Sequence, residues 1–157
     1  MRFEAITPEN ETAVDAIFPG DREQYWVHYN WYWKDQSRRK ADIEARLIYV
    51  DEVAPPVGFI AYGQYYEDEA LTQPIRGWYE IIHLVIDQPF QRRGYGRQAT
   101  EMALDLLRQQ PDCERIVIAH NPENLAARTL YEQLGFVEFG RNYDDDPLLG
   151  LLIRRSC

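Results

Sequence analysis

The sequence is poor in the residues that staple or metallate a fold. It holds two cysteines and three histidines in 157 residues. Cys113 and Cys157 lie far apart and read as free thiols of a reducing compartment. No His/Cys cluster has metal-ligand spacing, so no metal is expected. Long apolar runs are missing as well. The longest, such as LLGLLI, span about six residues, whereas a bilayer-crossing helix needs about 20. The N-terminal MRFEAITPENE is polar and acidic, unlike a secretory leader. A cytoplasmic protein without membrane contact is therefore expected. Basic charge is also short: 17 Lys and Arg against 26 Asp and Glu, a net charge of −9. That balance argues against a nucleic-acid partner, which demands a basic face, and suits a cationic substrate. There is no repeat, low-complexity tract or linker, and the length fits one domain over 1–157.

What is present centres on one stretch. Trp78 to Ile86 (WYEIIHLVI) is nearly continuous in β-branched and aromatic residues, the composition of a strand buried on both faces. Asp87 and Pro89 stop it, since proline lacks the N–H a ladder needs. A short loop closed by Gly94 and Gly96 follows. From Gly96 to Gln109 the apolar residues Ala99, Met102, Ala103, Leu106 and Leu107 recur with the spacing of one helix face. A helix start offers unpaired N–H groups and about half a positive charge. Glycines let a bulky anion approach the backbone, and Arg92, Arg93 and Arg97 add side-chain charge. The natural guest is a phosphate or pyrophosphate; the bland alternative is a plain Gly-x-Gly turn. A Walker loop is excluded, because Gly94 is followed by Tyr95 and Gly96. A dinucleotide fingerprint would find Ala99 as its third small residue, but no acidic ribose partner is clearly placed.

Gln91-Arg92-Arg93-Gly94-Tyr95-Gly96 resembles the acetyl-CoA loop of the GNAT N-acetyltransferases, Gln/Arg-x-x-Gly-x-Gly/Ala. Downstream, Asn124 to Phe136 (NLAARTLYEQLGF) resembles that family's second signature, N-x-x-A-x-x-x-Y-x-x-x-G-F. Two motifs in the right order, with a strand between, are far more specific than either alone. The match covers Trp78 to Phe139 and is only architectural elsewhere. The resemblance implies an α/β (α+β) fold: a mixed, mostly antiparallel central sheet flanked by helices, with a strand, P-loop-like turn and helix at its centre. It implies acetyl-CoA as co-substrate, its pyrophosphate at Gln91–Arg97 and its pantetheine arm along the backbone of Leu84, Val85 and Ile86. An N–H near Leu84 or Val85 is the implied oxyanion donor. On the second motif Asn124, Arg128 and Tyr131 share one helix face toward the cofactor, while Ala126, Leu130 and Leu134 pack inward. Tyr131 is the implied acid beside the sulfur.

Acetyl transfer to an amine also needs a base, since an alkylamine is mostly ammonium at neutral pH. Glu80 is the candidate. It lies eleven residues before Gln91, a spacing similar to that of the catalytic glutamate in the histone-acetylating branch. Apolar neighbours would raise its pKa, which suits base work. His83, on the opposite strand face, is the reserve base or a structural residue.

The rest of the chain reads more coarsely. Arg2–Ile6 is a first strand, and a helix is expected from Thr7 to Phe18. Asp21–Asp35 holds three tyrosines and three tryptophans and is expected to be helical in part. Its aromatic faces, Tyr29 and Trp33 among them, suit a substrate wall that grips ammonium groups, or else core packing with an exposed surface for homodimer contact. Arg38–Ala45 reads as a second helix. Arg46–Glu52 and Val57–Gln64 read as a hairpin turned at Ala54-Pro55-Pro56. Glu67, Asp68 and Glu69 lie in a loop running to about Gly77, either a solvated acidic loop or a collar for a polycation. Arg115–His120 is a strand parallel to the central one, and Phe136–Tyr143 and Leu148–Arg154 are the last pair. An N-acetyltransferase for a small-molecule amine, with a diamine or polyamine as the narrower expectation, fits best. The rivals are an aminoglycoside, a protein lysine or an N-terminus as acceptor, and a non-catalytic acyl-CoA-binding regulatory module.

Overall fold

A computed structural model of the chain describes residues 1–21, 23, 29–51 and 55–153. The elements run β1 (Arg2–Ala5), α1 (Thr12–Ala16), α2 (Asn30–Arg39), β2 (Ile43–Tyr49), β3 (Gly58–Tyr66), β4 (Pro74–Ile86), α3 (Tyr95–Arg108), β5 (Arg115–Ala119), α4 (Leu125–Gln133), β6 (Val137–Arg141) and β7 (Pro147–Leu152). The strands form one seven-stranded sheet in the order β1-β2-β3-β4-β5-β7-β6. It is mixed and mostly antiparallel, as the resemblance implied; β4 and β5 pair in parallel, Trp78 opposite Arg115 through Ile81 opposite Ile118. Contacts divide the chain into two units, Met1–Tyr62 with Ile82–Met102, and Gly63–Ile81 with Ala103–Cys157.

The first unit carries β1, α1, α2 and β2, with the loop 87–94. Val14, Leu47, Ile48, Val57, Phe59 and Ile60 are fully buried and form its core. The helix expected from Thr7 is shorter than its sequence signals. Asn10 accepts from the Thr7 N–H and donates to the Ala5 carbonyl, closing a turn before α1 begins at Thr12. The second helix also moves. The expected span Arg38–Ala45 is helical only to Arg39, and Ile43–Ala45 already belongs to β2, where Ile43, Ala45 and Leu47 alternate into the core. The aromatic run, expected to be helical in part, supplies the first half of α2. Glu11 then clamps α2 with Lys34 and Arg38, whose charges hold its carboxyl below the usual range, Arg38 most strongly.

The second unit is built on β5, β7 and β6. β5 pairs antiparallel with β7 from Arg115–Leu152 to Ala119–Leu148, and β7 with β6 across a register shift at Glu138–Gly140. Val117, Leu148 and Tyr65 form a buried cluster with Ile75, Trp78 and Ala119 against it. Arg115 lies between two rings, its guanidinium 4.7 Å from the centre of Trp78 and 4.6 Å from that of Phe139, within cation–π range.

β4 is longer than Trp78–Ile86 suggested, because Pro74 to Gly77 join it, and the expected loop shrinks to 67–73. It is also not buried on both faces. Ile81, His83 and Val85 are buried, while Glu80, Ile82, Leu84 and Ile86 are only half-buried. The near-continuous apolar composition hid that asymmetry. α3 runs as its periodicity predicted, shifted by one residue, with Ala99, Thr100, Ala103, Leu104 and Leu107 as its most buried side chains. The Thr100 hydroxyl donates to the Gly96 carbonyl at 2.7 Å, which removes the penalty of burying it.

Candidate active site

The loop after β4 is held by side chains that the sequence had assigned to the ligand. Gln91 Nε2 donates to the Ile86 carbonyl at 2.9 Å and to the Pro19 carbonyl at 2.8 Å. It is a strut that fixes the loop between the end of β4 and the chain before the aromatic segment. Asp87 Oδ1 accepts from Phe18 N–H at 3.0 Å, and Gln88 N–H donates to the Phe18 carbonyl. A short 3-10 turn, Gln88–Phe90, with Pro89 inside it, follows. Arg92 and Gly94 both take left-handed backbone, φ 64° and 84°. Turns of this kind aim successive N–H groups at one point. The first α3 bond is Gln98 N–H to Gly94 O, so the Tyr95 and Gly96 N–H groups precede the helical ladder. Among the described residues, a side chain built on Gly94 would meet nothing within 4 Å, and one on Gly96 only the Ile86 side chain at 3.9 Å. Space for an anion is therefore open directly over these amides. Arg92 and Arg93 are exposed beside it. Arg97 is paired with Glu101 at 2.8 Å on the helix.

Tyr131 is the most deeply buried side chain of α4, at 9% exposure. Here the expected faces need correction. Ala126 is exposed and Leu130 and Leu134 only partly covered, so the inward face is that of Tyr131. Asn124 does not reach outward to a ligand with its oxygen; it caps α4, accepting from Ala127 N–H at 3.2 Å. Arg128 is bound to Glu132 and Glu138. The helix ends in a Schellman turn. Phe136 N–H donates to the Tyr131 carbonyl and Gly135 N–H to that of Glu132, with Gly135 left-handed at φ 99°. The Tyr131 and Phe136 rings lie 6.1 Å apart. Burial pushes the phenol up to about 12, so it is a neutral O–H donor at any physiological pH. Among the described residues its hydroxyl makes no hydrogen bond.

Glu80 pairs in register with Val117 and alternates to the face of Trp78 and Arg115. The turn after α4 lies over Leu151, on the face of Ile116, Ile118 and Ile81. Glu80 and Tyr131 are thus not brought together. The Glu80 residue is half-buried as a whole, yet loss of water around its carboxyl pushes it up to about 8. Nearby, burial pushes Tyr65 up to about 12, with the Glu80 and Glu67 charges adding to the effect.

This shift fixes a sign. The folded chain keeps a proton to about 8 that an unfolded glutamate sheds near 4.5. Stability from this group is present in full below the unfolded value and is lost as pH rises through the folded one. Glu80→Gln mimics the protonated acid. It should therefore gain on wild type between acid and mildly alkaline pH, by about 2 kcal/mol once partial exposure is discounted. Thermal unfolding across that range checks it; parallel curves for the two proteins would show a carboxylate already ionised in the fold.

His83 is 5% exposed and its Nε2 lies 2.7 Å from Asn30 Oδ1. Asn30 Nδ2 donates to the Val14 and Ile17 carbonyls, each at 3.0 Å. With both amide hydrogens spent, Oδ1 can only accept, so His83 carries its proton on Nε2. The geometry is that of a buried strut joining β4, α1 and α2. Nothing in the sequence pointed to Asn30 except a polar residue inside an aromatic run.

The residues expected to face the acceptor divide. Trp33 is 5% exposed, packed edge-on to Tyr32 at 5.0 Å, and belongs to the core rather than to an exposed wall. The outward aromatics are Tyr29 and Trp31, 69% and 47% exposed and stacked at 6.0 Å. Tyr25 and Trp26 lie outside the described residues. Glu67 and Glu69 are exposed. Asp68 is committed to its own loop, accepting from Thr72 and Gln73, and the Thr72 hydroxyl above all holds its carboxyl below the usual range. No group of three metal-ligating side chains occurs, and no helix is long and apolar enough to cross a membrane, among the described residues.

Sheet, left-handed loop and helix start together define an α/β protein of the class that binds nucleotide-bearing acyl donors. The chain belongs to the acetyltransferase (GNAT) family, whose model matches residues 7–136; it is a transferase acting on acetyl-CoA. It is 21% identical, over 87% of each chain, to a spermine/spermidine N(1)-acetyltransferase of Bacillus subtilis. It is 44% identical over 57 residues to a mycothiol acetyltransferase of Beutenbergia cavernae, of whose length the match spans 19%. Its fold matches an aminoglycoside acetyltransferase solved with coenzyme A and kanamycin, with a TM-score of 0.74 at 16% identity over 96% of this chain and 93% of that one.

Proposed function

We propose that the chain acetylates a primary amine of a small cationic molecule, with diamines or polyamines as the preferred class. The observation that carries acetyl transfer is the open space over the Gly94 and Gly96 backbone at the start of α3. Gly94, Tyr95 and Gly96 would hold the donor's pyrophosphate through backbone N–H groups, with Arg92 and Arg93 supplying charge. Gln91 keeps the loop in shape. Leu84, Val85 and Ile86 would align the donor arm by backbone pairing, and an amide at Leu84 or Val85 would receive the developing oxyanion. Glu80, poised near neutrality, would take the proton the ammonium sheds before attack. That step precedes bond formation, so it does not require Glu80 beside Tyr131. Tyr131 would protonate the leaving thiolate.

The acceptor class is supported by net charge, by Glu67 and Glu69, and by the aromatic pair Tyr29 and Trp31. The 21% identical relative is named for spermine and spermidine. Exposed charge contacts contribute about 1 kcal/mol or less each, so a diamine should exceed a monoamine of equal length modestly in kcat/KM, and less so as salt screens it. Free-thiol release with matched diamine, monoamine and aminoglycoside acceptors, at low and high ionic strength, is the test. Equal values at low salt, or preference for a carboxylate-bearing amine, would leave Glu67 and Glu69 as a solvated face.

A further inference from the structure

His120 closes β5, and its ring contains an anomaly. The residue is 7% exposed. Nδ1 lies 2.8 Å from the Asn121 carbonyl, which can only accept, so Nδ1 bears the proton and Nε2 presents a lone pair. Nε2 is fully buried and has no partner among the described residues. Leaving a buried acceptor unsatisfied is costly, and such exceptions in a native fold call for a reason. The ring sits 6.5 Å from that of Tyr131, tilted by 51°. A buried acceptor left unmatched among the described residues thus lies beside the Tyr131 ring. The charged groups felt from neighbouring elements are Glu138 of β6, already paired with Arg128, and Asp146 before β7.

We propose that His120 Nε2 receives the second proton shed by the acceptor nitrogen and returns it through Tyr131. The inference rests on acetyl transfer with Tyr131 as acid. An acetylated ammonium must lose two protons. The first leaves before attack. The second remains on nitrogen once the C–N bond has formed, while the C–S bond breaks and the sulfur takes the Tyr131 proton. Nitrogen and sulfur are then substituents of one carbon, so a group beside Tyr131 is within reach of both, directly or through one water. His120 removes the N–H proton and hands it to the tyrosinate. One N–H bond is broken and one S–H bond is formed; both side chains end as they began.

The test is a double-mutant cycle. His120→Asn keeps an N–H for the Asn121 carbonyl and removes Nε2. It should lower kcat by about 10–100-fold, the low end for a lost acid–base group, with acetyl-CoA affinity and melting temperature near wild type. In a Tyr131→Phe background it should add almost nothing, because the two act in one path. A wild-type kcat in His120→Asn, or losses that multiply, would overturn the proposal. Should His120→Asn fail to fold, the ¹⁵N shifts of His120 in the wild-type protein decide. A lone-pair Nε2 that moves when coenzyme A and an amine are added supports the role; one that stays put refutes it. Wild-type turnover in Tyr131→Phe alone would instead sink the acid assignment beneath it, and the relay with it.

Discussion

Gly96→Asp should lower acetyl-CoA affinity by about 100-fold or more while leaving the fold intact. The position separates binding from folding unusually well. Gly96 is not left-handed, and among the described residues the only contact a Cβ would make is ordinary, at 3.9 Å from Ile86. The second residue of α3 is also where a carboxylate favours a helix, contributing about 0.3–1 kcal/mol through the dipole. The same carboxylate would occupy the space proposed for the pyrophosphate and repel it. Gly94→Asp is a poorer probe, since Gly94 has φ 84° and any side chain there is strained. Calorimetry on folded Gly96→Asp checks this; unchanged affinity would place the donor elsewhere.

Tyr131→Phe should lower kcat by about 100-fold or more, the usual range for a lost general acid, with donor affinity little altered. The substitution removes one oxygen and keeps the ring that packs on Phe136. No hydrogen bond within the described residues is lost with it. A stability change would therefore be small, and the kinetic loss would report on chemistry. Steady-state and single-turnover rates distinguish the two; full turnover without the hydroxyl would move the acid role to another group.

The readable parts of the sequence were those in which local rules and tertiary context agree. α3 shows its face by periodicity, and Asn124, Gly135 and Phe136 spell out both ends of α4. β4 was legible in type but not in its faces, because half-buried Ile82, Leu84 and Ile86 look the same in sequence as buried ones. α2 was only partly placed: helix was expected within Asp21–Asp35, but Tyr and Trp are weak helix formers and the charged Arg38–Ala45 looked like a helix of its own. Trp33 packs in the core for a similar reason: aromatic clusters do not announce which ring turns inward. Gln91 matched a ligand-binding motif yet spends its amide on two carbonyls. Side-chain destination depends on acceptors brought from distant segments, and Pro19 is 72 residues away in sequence. His120 carried one faint signal, a histidine ending an otherwise apolar strand.

The Schellman turn also decides where this chain can gain or lose residues. The depth of the Tyr131 phenol is set by the backbone bond from Phe136 N–H to the Tyr131 carbonyl and by the left-handed Gly135 between them. One residue inserted within 131–136 rotates the side chain by about 100° around the helix axis or abolishes the turn. An insertion in the loop 67–73, by contrast, costs only a slowly growing closure entropy. Length variation is thus barred around the phenol and tolerated at the acidic loop, so on the proposed reading acceptor preference can drift while the proposed acid stays in place.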